Sequence, residues 1–118
     1  SKDAGTLMSL MTEDGMACGT DPSEIWNKKQ ISDYWTQALL DTTMKIIYTL
    51  DKREIRISKD GNSAIVVEQS TFTVMMPKIP MRSIFHAVRV DDKWIFDFIS
   101  WNCIPKNEDM AKLNKALE

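Results

Sequence analysis

His86 is the single histidine of this chain, and Cys18 and Cys103 are its two cysteines. Histidine is the residue whose ordinary pKa lets it exchange protons near neutrality. His86 falls in the run Ser83 to Val90, where alternation puts it on the face of Ile84 and Val88, opposite Phe85 and Ala87. There it can serve as a pocket donor or a proton shuttle, or be a sheet histidine satisfied by its neighbours. Arg82 shares that face, placed either to hold a ligand carboxylate or to stand in solvent beyond Pro77 and Pro80. The two cysteines form no CxxC pair, and one histidine is too few for a structural zinc site. Each cysteine reads as a small buried hydrophobe. A disulfide between them is an open alternative, and would favour export.

Other chemistries leave no trace. The chain has no phosphate-binding glycine loop, serine-hydrolase elbow or metal-binding helix. No metal and no cofactor is expected. Glu68, Gln69, Ser70 and Thr71 put polar groups on both faces of a long strand, which lines a wet cavity or marks an exposed edge.

The elements that must position these groups are most legible between Gly19 and Trp35. Asp21-Pro22 starts a turn, because proline fixes φ and the aspartate side chain bonds nearby amides. Asn27 is a good helix cap, and Gln30 stands where a capping box puts its reciprocal partner. Trp26 before the cap and Ile31 after it have the spacing of a hydrophobic staple. Ile31, Tyr34, Trp35, Ala38 and Leu39 then recur at helical spacing, giving one apolar stripe.

On either side the order is helix, then sheet. Ala4, Leu7, Met8 and Met11 share a helical face that Asp14-Gly15 would end. A brief strand, Met16 to Cys18, follows, then the helix from about Lys28 to Asp41. Met44 to Leu50 and Glu54 to Ser58 read as strands, Asp60-Gly61 as a hairpin turn, and Ala64 to Met75 as a long strand. Pro77 and Pro80 bracket a loop that breaks the ladder. Ser83 to Val90 and Lys93 to Asn102 join through Asp91-Asp92. Pro105 stops the sheet, and Asn107 caps a last helix carrying Met110, Leu113 and Leu117. Helices followed by antiparallel strands predict an α+β fold.

With 118 residues, 43% hydrophobic and 27% charged, the chain has room for one core, so 1–118 is read as a single domain. A net charge of −2 with both signs scattered offers no footprint for nucleic acid or an anionic membrane. No apolar run is long enough to span a bilayer. The chain starts at Ser1 without Met, so some trimming is expected. A cytoplasmic location is favoured, with export the alternative if a signal peptide was removed.

The segment Gly19-Thr20-Asp21-Pro22, then Trp26, then Tyr34-Trp35, resembles SnoaL-like domains of the nuclear-transport-factor-two and ketosteroid-isomerase superfamily. A second likeness lies where Asp91-Asp92-Lys93-Trp94 leads into a strand ending Ser100-Trp101-Asn102. The resemblance implies a cone, in which a curved antiparallel sheet wraps over N-terminal helices with a cavity at its open end. It also implies sheet-to-sheet homodimers. The chain departs from the family in a shorter first helix and in Ser100 standing at or beside the family's strand-end histidine.

By that pattern Trp94, Phe96, Phe98, Ser100 and Asn102 face the cone, and Ile95, Asp97, Ile99 and Trp101 face outward. A ligand pocket is then expected from Trp26, Tyr34, Trp35, His86, Phe98, Ser100 and Asn102, and a dimer interface from Ile95, Ile99 and Trp101. Asp97 is expected to find a basic partner on a neighbouring strand. In the isomerases an aspartate just before proline is the general base, which singles out Asp21. That role needs an apolar pocket to raise its pKa; otherwise Asp21 only caps the turn. Three functions follow: a small-molecule binding domain for a largely apolar ligand, a cofactor-independent isomerase, cyclase or dehydratase using Asp21, or a dimerisation module with a filled cavity.

Overall fold

The computed structural model describes residues 5, 8–40 and 47–118. Its strands are β1 (Met11–Cys18), β2 (Ile25–Asn27), β3 (Tyr48–Ile57), β4 (Ser63–Phe72), β5 (Met76–Val90) and β6 (Lys93–Cys103). Helix α1 (Lys28–Leu40) follows β2, and a single 3-10 turn (Asn107–Asp109) leads into α2 (Met110–Ala116). The six strands form one sheet in the order β2-β1-β6-β5-β4-β3. Every neighbouring pair is antiparallel except β1 with β6. The expected α+β class is the one observed, with a sheet that is mixed at this one join.

Helix α1 begins as its residue types dictate. The Gln30 N–H donates to Asn27 Oδ1 and the Asn27 N–H donates to Gln30 Oε1, both at 2.9 Å. Its apolar stripe lies on β1 and β2, where Ile31 is buried to 1% exposure beside Met8, Met11 and Ala17. Trp26, Trp35, Ile99 and Trp101 close over that cluster. Strand β3, at the far edge, is exposed along its whole length. The core therefore sits under one end of the sheet.

Three irregularities between antiparallel strands bend the ladder, as bulges do. Leu50 pairs with Ser70 and Lys52 with Gln69, so Asp51 is extra, and the two expected strands meet in one, Tyr48–Ile57. Residues 41–46, including Met44, lie outside the described residues. Phe72 pairs with Met76 but Ser70 with Met81, so Pro77 and Pro80 sit within β5 in a bulge rather than in a loop between strands. Proline has no N–H to give a ladder; here the Pro80 carbonyl accepts from the Ile104 N–H at 2.8 Å instead. His86 pairs with Phe98 and Ala87 with Phe96, which leaves Asp97 extra in the third irregularity.

The start of the chain differs from its reading. Met11 opens β1 instead of continuing a helix, and Asp14-Gly15 lies inside that strand. The register jumps between Met11 and Met16, and Gly15 is needed there because a Cβ would collide with the Met11 side chain. Ala4 and Leu7 lie outside the described residues. The Asp91-Asp92 hairpin has φ of 49° and 61°, the doubly left-handed turn whose twist matches two antiparallel strands. At the other end Lys106, not Asn107, takes the cap position, with no side-chain hydrogen bond. Met110 and Leu117 of the last helical segment remain exposed.

Candidate functional site

Where α1 meets the sheet, the aromatic residues form a chain of contacts. Trp26 stacks on Tyr34 at 5.0 Å between centroids, Tyr34 meets Trp35 edge-on at 5.4 Å, and Trp35 meets Trp101 edge-on at 6.0 Å. Hollows lie on both sides of the Trp35–Trp101 pair. The first, about 190 Å³, is walled by Trp26, Tyr34, Trp35, Trp101, Phe72 and Met81, with Gly19, Thr20 and Glu24 at one end. The second, about 200 Å³, runs between Met8, Met11, Ile31, Phe85, Phe96 and Ile99 and is walled by apolar side chains alone.

Glu24 is the one carboxylate among the described residues lining the first hollow. It is half-buried, and its Oε1 accepts the Asp21 N–H at 2.8 Å. The Glu24 carbonyl accepts from the Gly19 N–H at 2.8 Å, which folds the turn back on itself. A carboxylate held this way can accept a hydrogen bond from a bound hydroxyl or amine. Sequence reasoning passed over Glu24, although it lies inside the segment that reasoning singled out; its signal was a place one residue before the apolar Ile25-Trp26 strand.

Asp21 does not line either hollow. It is exposed, and its Oδ1 accepts from the Ser23 hydroxyl at 2.6 Å and the Ser23 N–H at 2.9 Å. Those two bonds, the hydroxyl foremost, stabilise the ionised form and hold the Asp21 pKa below the ordinary carboxylate value. Asp21 here closes the turn, away from both hollows.

Beyond Asp97, strand β6 presents its faces the other way round from the expectation. Ile99 and Trp101 lie on the helix side, half-buried against the core cluster, and not on the outward face expected of them. By alternation Phe98, Ser100 and Asn102 point to the open face of the sheet, as do their partners His86, Ile84 and Arg82. The Asp97 bulge shifts the alternation by one, so Phe96 joins Ile99 on the helix side and Ile95 joins Phe98 on the open side. Of the seven expected pocket residues, the structure gathers Trp26, Tyr34 and Trp35 at the hollow. It sets His86, Phe98, Ser100 and Asn102 apart from it.

The open face has its own polar order. His86 Nδ1 lies 2.6 Å from Asp97 Oδ1, which supplies the basic partner Asp97 required. Ser100 Oγ donates to Asn102 Oδ1 at 3.3 Å. The polar run in β4 is likewise paired. Glu68 binds Arg53 Nε at 2.7 Å, Gln69 accepts from Arg82 at 3.3 Å, and the Thr71 hydroxyl donates to Asp51 at 2.7 Å. Ser70 is buried. Cys18 and Cys103 are free thiols, the second of them exposed.

In fold, this curved sheet laid on one long helix is similar to the nuclear-transport-factor-two-like and ketosteroid-isomerase-like proteins. More narrowly, residues 1–97 match the SnoaL-like domain, and the chain belongs to that family. A comparison with curated proteins finds no match. Among solved structures, a Parabacteroides distasonis protein assigned as a ketosteroid isomerase is similar with a TM-score of 0.70 and 13% identity, over 88% of this chain and 77% of that one. A Xanthomonas campestris protein assigned as a calcium/calmodulin-dependent protein kinase II association domain has a TM-score of 0.69 and 22% identity, over 89% and 76%. A nuclear-transport-factor-two-like protein of unknown function from Pseudomonas putida has a TM-score of 0.68 and 13% identity, over 86% and 72%. At these identities the likeness is one of fold.

Proposed function

We propose that this SnoaL-like domain binds a small, largely apolar molecule in the hollow between α1 and the sheet. Trp26, Tyr34, Trp35 and Trp101 supply the walls, and Glu24 accepts a hydrogen bond from the ligand's polar end. The observation that supports this is the tryptophan-lined hollow of about 190 Å³ with a single carboxylate at one end. Its size sets the ligand class. A cavity of about 150 Å³ holds a benzene ring, whereas drug-sized ligands take roughly 300 Å³ or more. The ligand is therefore ring-sized, or long enough to enter both hollows past Trp35. No catalytic base is assigned.

The domain works as a homodimer through the open face of its sheet. Ile65 on that face is 50% exposed, and by register Ile84, Ile95 and Phe98 share the face with the His86–Asp97 pair. This replaces the interface of Ile95, Ile99 and Trp101 by one that keeps only Ile95.

Titration with indole, phenol and cyclohexanol, followed by tryptophan fluorescence and thermal unfolding, tests the pocket. Saturating ligand at about 100 times its Kd stabilises by about 2.7 kcal/mol. Trp35→Ala abolishes the response and Phe98→Ala leaves it intact. A flat response to all three probes, or equal loss in both variants, refutes the pocket. Sedimentation of the wild type and Phe98→Arg tests the dimer, which the variant splits; a wild type that sediments as a monomer at high concentration refutes it.

A further inference from the structure

We infer that Met76, Met81 and Cys103 form a binding site for a soft monovalent cation of the copper(I) class. Cys103 Sγ lies 3.6 Å from Met81 Sδ and 3.9 Å from Met76 Sδ. The inference does not rest on the pocket reading, although Met81 also walls the first hollow.

The gathering of the three sulfurs is a product of the fold. Met81 faces Cys103 directly in the β5–β6 register, so their side chains share a face. Met76 is five residues before Met81, and on an unbroken strand an odd spacing would send the two thioethers to opposite faces. The bulge containing Pro77 and Pro80 removes that conflict, because Ser70 pairs with Met81 while Phe72 pairs with Met76. Both thioethers thus reach one thiol.

The spacing suits a metal. With a metal–sulfur bond of about 2.3 Å, three sulfurs in a trigonal or tetrahedral arrangement stand about 3.8–4.0 Å apart. The two separations from Cys103 Sγ, 3.6 and 3.9 Å, lie within a few tenths of an ångström of that. Thioether and thiolate together select copper(I), whereas zinc requires imidazole, carboxylate or further thiolates. Among the described residues no group of three histidine, cysteine or acidic side chains is placed to hold a harder ion. Cys103 is exposed, so the cation has access, while Met81 is buried and fixes one ligand in place. Binding forms the sulfur–copper bond and releases the Cys103 thiol proton, giving a neutral thiolate–copper(I) unit with two neutral thioethers. No electron is transferred. The expectation of no metal counted only histidine and cysteine, and so left the thioethers out.

The test is an anaerobic titration of the reduced protein with copper(I) against the chromophoric chelator bicinchoninate. One equivalent is taken up, and X-ray absorption shows a shell of sulfur only. Cys103→Ser abolishes uptake and Cys18→Ser leaves it unchanged. Met76→Leu lowers affinity by at least about ten-fold, the least that even an outer-shell partner of a metal site costs. Met81→Leu does the same; should that buried substitution fail to fold, the half-exposed Met76→Leu decides the matter. Copper(I) held equally tightly by Met76→Leu would reduce the site to a single thiolate and overturn the inference, as would loss of uptake in Cys18→Ser or equal affinity for zinc(II).

Discussion

Ile31→Ala tests both the packing of α1 on the sheet and the hollow beside it. Ile31 is the one large side chain among the described residues with essentially no exposure, at 1%. It stands between Met8, Met11 and Ala17 and lines the hollow of about 200 Å³. The substitution removes three carbons from a buried site, worth about 2.4 kcal/mol at about 0.8 kcal/mol for each. The space left adds to that at about 24 cal/mol per Å³. A neighbouring void already exists, so collapse onto the new one is incomplete, and an unfilled ~50 Å³ adds about 1.2 kcal/mol. The expected loss is about 3.5 kcal/mol, against a stability of roughly 6–18 kcal/mol for a domain of this length. Urea unfolding followed by tryptophan fluorescence reads it as a lower midpoint at unchanged m. Heating reads it as a fall in Tm of about 10–15 °C. Benzene should recover part of the loss in the variant and less in the wild type, because the enlarged hollow accepts the ring. A loss under about 1 kcal/mol, or no rescue, would falsify the placement of Ile31 and with it the seat of α1.

Three further outcomes follow from single contacts. Asn27→Ala removes one half of the reciprocal cap and should lower stability by about 1 kcal/mol in urea unfolding; Gln30→Ala in the same background should then add little. Ile99→Arg and Trp101→Arg should unfold the chain, seen as lost near-ultraviolet circular dichroism, rather than yield a folded monomer, since both side chains pack on the core. Asp21 and Asp60 both have pKa values lowered from 3.8, chiefly by the hydroxyls of Ser23 and Ser58. A depressed folded-state value stabilises above the unfolded value and is lost as pH falls through the folded one. Stability should therefore decline below about pH 4, and the decline should be shallower in Asp21→Asn and Asp60→Asn, measured as the urea midpoint against pH.

Local chemistry carried the reading of the fold a long way. The cap of α1, the hairpin at Gly61 and the Asp91-Asp92 turn each depend on residues within a few positions of one another, and each forms as its residues dictate. Strand β6 and the Ser83–Val90 part of β5 were legible for the same reason. The start of the chain was not, because Met11, Gly15 and Met16 satisfy either a helical period or a bulged strand. Only the parallel partner, Phe96 to Met11 and Phe98 to Met16, decides between them. Sequence contains no local mark of that pairing.

The site was harder to read, and the bulges explain why. Alternation assigns faces only while a strand is unbroken, and one extra residue inverts everything beyond it. Asp97 is such a residue. It separates Phe96 and Ile95 from the sides that simple alternation gives them, and it does so beside His86, whose ring fixes the carboxylate at 2.6 Å. Asp97 thus stays on the open face with a partner, and Ile99 and Trp101 turn toward α1. The more apolar members of β6 are therefore the ones the helix covers, as burial of apolar surface requires. The same rule, applied to Ile99 and Trp101 before any family pattern, gives the correct face for the wall of the hollow. It gives no account of Met76, Met81 and Cys103, whose meeting depends on a second bulge that no periodicity reveals.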